Sequence, residues 1–246
     1  MNFPVYVLHV KTGSEDREKR IIRQFEGLNI SFEWVLQYDI PEIDATVLNR
    51  YKNPEKQLRM DEISCCLKHK TAWNKIKNSN SDGGLIFEDD VILNKIKFLS
   101  YFNIGIKEYY DIERNLGCIC FGDGCAMHVP WTKIKRGKHL YISGQMRAAD
   151  SYWISKQTAS LLSNWIETNG FSLPADHFLT EVLNALDVPI FWLEPTIVTQ
   201  GSHCGVFKSI IQLNDEGVIK KKHEFLIKKI RRKYIYPLLG IDPRYK

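Results

Sequence analysis

An α/β sandwich around a mostly parallel central sheet is the architecture that this chain of 246 residues predicts. Three observations carry that reading. Short apolar runs alternate with amphipathic segments of helical period between residues 5 and 199. Helix caps and stop residues fall between them. The acidic triplet Glu88-Asp89-Asp90 stands directly between two apolar runs, where a buried strand would leave the core. Hydrophobic residues make up 44% of the chain and aromatics 12%, enough for a sizeable core. No internal repeat, low-complexity tract or Pro/Gly/Ser-rich linker interrupts it. The simplest division is one domain over residues 1–210 and a tail over residues 211–246.

Residues 5–10 read as the first strand. Ser14 is placed to cap a helix running to about residue 28, with Glu15 and Asp16 favourable in its first turn. Ile21, Ile22, Phe25 and Leu28 line one face of it. Residues 31–37 read as a second strand, completing a β-α-β start. Residues 61–77 form a helix whose face carries Cys65, Cys66, Trp73 and Ile76 together with Glu62 and His69, two turns apart. Residues 85–87 are a short buried strand behind the turn Asp82-Gly83-Gly84, and residues 115–121 another. Ser155 caps a helix stopped by Gly170. Asp176 caps a third that carries Phe178, Leu179, Val182 and Leu183. Residues 188–193 and 196–199 complete the sheet. The stretch 122–149 has no clear period and reads either as a functional loop or lid, or as a plain surface insertion.

Three adjacent carboxylates at a strand end disfavour one another's ionisation. A divalent cation removes that penalty, and hard oxygen ligands suit Mn²⁺ or Mg²⁺, usually with substrate phosphates. In open α/β sheets that edge is where ligands bind. The competing reading is a solvated acidic turn. A zinc site built on Cys118, Cys120 and Cys125 lacks an evident fourth ligand.

The net charge of +5 conceals an asymmetry. Residues 219–246 hold ten Lys/Arg and two acids, whereas the other 218 residues hold 24 basic and 27 acidic side chains. The basic tail is interleaved with Phe225, Leu226, Ile227, Ile230, Tyr234 and Leu238. Such a segment suits an anionic membrane surface; a solvated basic helix and nucleic acid are the competing readings. No run of 18 apolar residues is present. The first residues read as a strand rather than a signal peptide, which leads us to expect a cytoplasmic protein with reduced cysteines, peripheral to the inner face of the membrane.

Several motifs come in order: Ser14-x-Asp16-Arg17 after the first strand, then Asp61-Glu62-Ile63-Ser64-Cys65-Cys66-Leu67-Lys68-His69-x-x-x-Trp73 and Glu88-Asp89-Asp90-Val91. Ala149-x-x-Tyr152-x-Ile154-Ser155 and Pro174-x-Asp176-His177 follow. Over residues 3–205 the chain resembles glycosyltransferase family 25, the lipooligosaccharide galactosyltransferases and their relatives. It departs from the family pattern at His9, Lys68 and Asp150. The resemblance implies a GT-A type, Rossmann-like nucleotide-sugar-binding fold with a metal-binding motif of D-x-D kind. It implies inverting transfer of a hexose, galactose foremost, from a UDP-sugar to a lipid-linked lipooligosaccharide or lipopolysaccharide glycan. UDP-glucose and UDP-N-acetylhexosamine stay open as donors, and a non-catalytic nucleotide-sugar or glycan binder stays open as the alternative class. A metal-dependent phosphohydrolase would need a nucleophilic Asp or a His-rich cluster, which the sequence does not display.

Roles follow from what such a reaction needs. Asp90 is the first metal ligand expected, with Glu88 on the same side of an extended chain and His203 as a further donor; an imidazole favours Mn²⁺ over Mg²⁺. Asp89 would point elsewhere, to the ribose or the donor sugar. The donor cradle is expected from Leu8, His9, Val10, Arg17, Tyr38, Ser64, His69, Glu88 and Asp89, with pairing to Asp39 as the alternative for Arg17. The base for the acceptor hydroxyl is expected at Asp176, with Asp150 and Glu181 as alternates.

Overall fold

A computed structural model describes residues 3–51, 57–112, 115–202, 204, 206 and 218–241. His203, expected as a metal ligand from its position after the last strand, lies outside the described residues. The chain begins β1 (Val5–Leu8), α1 (Glu15–Glu26), β2 (Glu33–Val35), α2 (Ala45–Tyr51) and α3 (Met60–Asn78). It continues with β3 (Gly83–Glu88), β4 (Val91–Leu93), α4 (Phe98–Asp111), β5 (Cys118–Cys120), β6 (Leu140–Ser143) and β7 (Ser151–Ser155). Then come α5 (Lys156–Asn169), α6 (Ala175–Ala185), β8 (Ile190–Leu193), β9 (Val198–Gln200) and α7 (Val218–Ile230).

Seven strands form one sheet in the order β2-β1-β3-β7-β5-β8-β6. β2, β1 and β3 are mutually parallel, as are β5 and β8, while β7 and β6 run antiparallel to their neighbours. Alternation along each strand divides the core into two layers. Tyr6, Leu8, Ile86, Tyr152 and Ile154 face α3, α5 and α6 through Trp73, Leu162 and Phe178. Val5, Val7, Leu85, Phe87 and Trp153 face α1 and α4 through Ile21, Phe25, Phe98 and Phe102. The result is a three-layer sandwich, and both faces of the sheet are covered.

The structure corrects several sequence readings. The strand expected over 31–37 is only three residues long: Glu33–Val35 pair with Tyr6–Leu8, and Phe32, just before the strand, packs on Phe25 and Trp34. The segment expected at 196–199 does not complete the main sheet; as β9 it pairs with β4 in a separate two-stranded sheet. Asp176 is not a cap: the cap position is Pro174, and Asp176 stands inside the first turn. Ser155 does cap α5, its hydroxyl accepting the Thr158 amide at 3.2 Å. The stretch 122–149 is no free lid. It contains β6, and Arg147, fully buried, anchors it to Glu194 and to the Leu193 carbonyl at 3.0 Å, with its guanidinium 4.4 Å from the Trp192 ring centre. Cys118 and Cys120 both lie against Met146 Sδ, at 3.7 and 3.5 Å, as core groups.

Candidate active-site cleft

All parallel strands end at one edge of the sheet, and β7, being antiparallel, begins there. Leu8, Glu88 and Asp150 therefore meet: β1 and β3 pair Leu8 with Glu88, and the Glu88 amide donates to the Asp150 carbonyl at 2.8 Å. A cleft of ≈ 580 Å³ opens at this edge, lined by the β1–α1 loop, the turn after β2, the start of α3, the acidic triplet and the segment after β9.

At the β1–α1 end, Lys11, Arg17 and Lys68 line the wall, paired with Glu42, Asp89 and Asp39 respectively. Lys68 Nζ is held at 2.7 Å from Asp39 and 2.9 Å from the Gln37 carbonyl. Asp39 also accepts the Lys11 amide at 2.9 Å, and its lowered pKa follows from these bonds, which outweigh its burial. Ser64 Oγ donates to the Tyr38 carbonyl at 2.6 Å, fixing a turn in which Tyr38 has φ +65°. Leu8, His9, Val10, Arg17 and Ser64 all line the cleft, as expected of a cradle; Tyr38 and His69 stand behind its wall.

At the other end sits the acidic triplet, whose members part company. Asp89 is nearly buried and turns toward α1, accepting from Arg17 Nη1 and meeting His9 Nδ1, each at 2.7 Å. Arg17 thus takes Asp89 rather than Asp39, and the Asp89 carboxylate is held by protein groups instead of reaching freely for a sugar. Asp90 turns the opposite way; one oxygen accepts the Ser202 amide at 3.2 Å, and burial followed by the Glu88 charge pushes its pKa up to about 6. The β4–β9 pair creates this contact, since Gly201 N also donates to the Asp90 carbonyl at 2.8 Å. Glu88 is half-buried, 3.4 Å from Gln200 Nε2 and 3.6 Å from His69 Nε2.

Two further carboxylates stand beside them. Asp150 is buried, and burial first, then Glu88 and Asp90, hold it well above the usual carboxylate range. Gly122 permits this, since a Cβ there would lie 2.7 Å from the Asp150 carboxylate. Asp123, missed in the sequence, is buried after β5 and accepts from Lys229 Nζ of α7 at 2.7 Å. Asp90 Oδ1, Asp150 Oδ1 and Asp123 Oδ1 are all buried without a hydrogen-bond partner among the described residues. Partnerless buried carboxylate oxygens are the donor set that a hard divalent cation satisfies, so these residues fit Mn²⁺ or Mg²⁺. Of the expected bases, Asp176 is half-buried near Cys65 and Cys66 and Glu181 is exposed; Asp176, Glu181 and Asp150 all lie outside the cleft lining.

A family model described as glycosyltransferase family 25 (LPS biosynthesis protein) matches residues 3–179. A curated "Glycosyltransferase 25 family member" from Aedes aegypti is 26% identical over 171 residues, which is 64% of this chain. The chain spans only 27% of that relative's length. Among solved structures, a glycosyltransferase involved in the glycosylation of the major capsid of PBCV-1 has a TM-score of 0.42 and 10% identity, with 91% of this chain and 99% of the other covered. The inositol-1-phosphate CTP transferase from T. maritima has a TM-score of 0.38 and 12% identity, with 95% and 98% covered. With the family model spanning most of its length, this chain belongs to glycosyltransferase family 25.

Proposed function

We propose that this chain is an inverting, metal-dependent glycosyltransferase of GT-A type that moves a hexose, galactose foremost, from a UDP-sugar to a lipid-linked lipooligosaccharide or lipopolysaccharide glycan. One observation carries the reading: a single cleft is lined both by basic side chains, Lys11, Arg17 and Lys68, and by the acidic Glu88 and Asp90, with Asp90 Oδ1 buried and without a partner among the described residues. A nucleoside diphosphate needs the first and the cation that bridges it needs the second. Asp90 and Glu88 are the ligands we assign to that cation. When bound, it would stabilise the charge that develops on the leaving diphosphate.

For the acceptor we assign Asp176, beside Cys65 and Cys66 of α3, as base, and Asp150 as the alternate. Burial, then the charges of Glu88 and Asp90, raise the Asp150 pKa, and a bound cation would lower it. Peripheral membrane attachment through α7 is supported by the exposed Leu226, Ile227 and Ile230 beside Lys228. No helix among the described residues is long and apolar enough to cross a membrane.

The test is UDP release from a panel of UDP-sugars, with Mn²⁺ or EDTA and with or without a lipooligosaccharide acceptor. Metal-dependent release from one donor, increased by acceptor, supports the reading and identifies the sugar. Silence across all donors, with no UDP binding by calorimetry, rejects it. Asp176→Asn is expected to bind UDP normally and lose turnover; a kcat within about tenfold of wild type moves the base elsewhere.

A further inference from the structure

At the cleft wall, three side chains that the hexose-transfer reading does not use as a group come together. Cys65 and His69 are one turn apart on α3, so they share a face, and Glu88 ends β3 opposite them. Cys65 Sγ lies 3.9 Å and His69 Nε2 3.6 Å from Glu88 Oε1, and all three donor atoms lie within 4.8 Å of one another. Donor atoms around a tetrahedral Zn²⁺ are about 3.3–3.6 Å apart, given its usual bond lengths. A contraction of a few tenths of an ångström in two of the pairs, with a somewhat larger swing of the third, brings the set to that spacing.

His69 supplies the observation that points to a ligand. Its ring is fully buried, and its Nε2 has no hydrogen-bond partner while aimed at Cys65 and Glu88. Its Nδ1 is 2.9 Å from the Tyr152 hydroxyl, which is itself fixed by the Trp73 indole at 2.8 Å. With Nδ1–H donated to Tyr152, Nε2 carries the lone pair, the arrangement by which a neighbouring group orients a metal-binding imidazole. Cys65 and Glu88 also line the cleft, which leaves one coordination position facing solvent and substrate.

We propose that Cys65, His69 and Glu88 form a binding site for one soft divalent cation, Zn²⁺ by preference, with water from the cleft as its fourth ligand. The donor set separates this site from the Asp90 carboxylates. A thiolate and an imidazole select Zn²⁺ over Mg²⁺, and the two sites share only Glu88. The inference does not rest on the transferase reading.

Cobalt provides the test, because a thiolate–Co²⁺ bond gives a charge-transfer absorption that carboxylate and imidazole ligands do not. The metal-free chain is titrated with Co²⁺, then with Zn²⁺. We expect one near-ultraviolet charge-transfer band, saturating at one equivalent and abolished by one equivalent of Zn²⁺. The band is lost in Cys65→Ser and retained in Cys66→Ser and in Asp90→Asn. Tyr152→Phe weakens cobalt binding by about 10–100-fold. Absence of the band in the wild type overturns the proposal, as does a full band in folded Cys65→Ser. Should Cys65→Ser fail to fold, Glu88→Gln decides: unchanged cobalt affinity there also overturns it. A normal band with no UDP release from any donor would reject the transferase reading alone.

Discussion

Neighbouring acids of the triplet are predicted to have opposite effects on stability. Asp89 is 9% exposed at its side chain and receives two contacts of 2.7 Å, from Arg17, itself 11% exposed, and from His9. Replacing it by Ala removes the counter-charge of a buried guanidinium, a change that costs about 3–5 kcal/mol. For a chain of this size each kcal/mol moves Tm by roughly 2–4 °C, so Asp89→Ala should melt roughly 6–20 °C below wild type. Asp90 is the reverse case. Its rise from 3.8 to about 6 means that its ionised form is disfavoured in the fold. At pH 7 that corresponds to at most about 3 kcal/mol, which a neutral amide would not incur. Asn at position 90 keeps an oxygen for the Ser202 amide and loses the repulsion from Glu88. Metal-free Asp90→Asn is therefore expected to melt at or above wild type and yet lose metal-dependent UDP release. The assay is thermal unfolding by circular dichroism in EDTA at pH 7, beside the release assay. The reasoning is refuted if Asp89→Ala melts within about 2 °C of wild type, or if Asp90→Asn falls as far as Asp89→Ala.

Three further outcomes are expected. Metal-free protein should gain stability as pH falls from 7 toward 5, because folded Asp90, pushed up to about 6, takes up a proton there while an unfolded carboxyl does not. Glu194, held down to about 2 chiefly by Arg147 against its burial, contributes stability that is complete above about pH 4.5 and is lost progressively as pH falls from there toward 2, so it leaves that window unaffected; saturating Mn²⁺ should cancel the gain, and melts at two pH values with and without metal check this. Gly122→Ala should drive a methyl into the Asp150 carboxylate and lower kcat at least tenfold with a small loss of Tm, whereas Gly124→Ala, whose Cβ would meet the Arg147 carbonyl at 2.1 Å, should lower Tm by several degrees. Binding of α7 to liposomes should rise with anionic lipid and fall with salt; co-sedimentation indifferent to lipid charge would leave the tail a solvated basic helix.

Much of this was legible in the chain, and the misses have physical causes. Periodicity located α1, α3, α5 and α6 because each buries a one-sided apolar stripe. It missed α4, whose buried Phe98, Phe102 and Tyr109 are nonetheless spaced for one helix face. Gly105 obscured that pattern, and it is there because a side chain would strike Leu193 at 2.7 Å. The acidic triplet announced the site, and alternation set Asp89 apart from Glu88 and Asp90, but it could not name the groups that hold Asp89. Between β3 and β4 the chain turns, so Asp89 is delivered to Arg17 by a turn rather than by strand alternation. Arg147 gave no signal: a lone basic residue in an aperiodic stretch reads as surface, and only the fold brings Glu194 to it.

Asp150 shows most clearly what the one-dimensional pattern withholds. In a parallel sheet, site residues follow the C-terminal ends of strands, and that rule finds Glu88 and Asp123 behind β3 and β5. β7 is inserted antiparallel between those two strands. At the edge where its neighbours end, β7 starts, so the residue that reaches the site precedes the strand instead of following it. Asp150, directly before β7, thereby joins Glu88, Asp90 and Asp123 from a position that the parallel rule would assign to the opposite edge. Reversing one central strand thus lets a single edge collect acids from both ends of strands. That gathers more carboxylates than the triplet alone supplies, so under the proposed function it is the fold, more than the Glu88-Asp89-Asp90 motif, that would hold a cation.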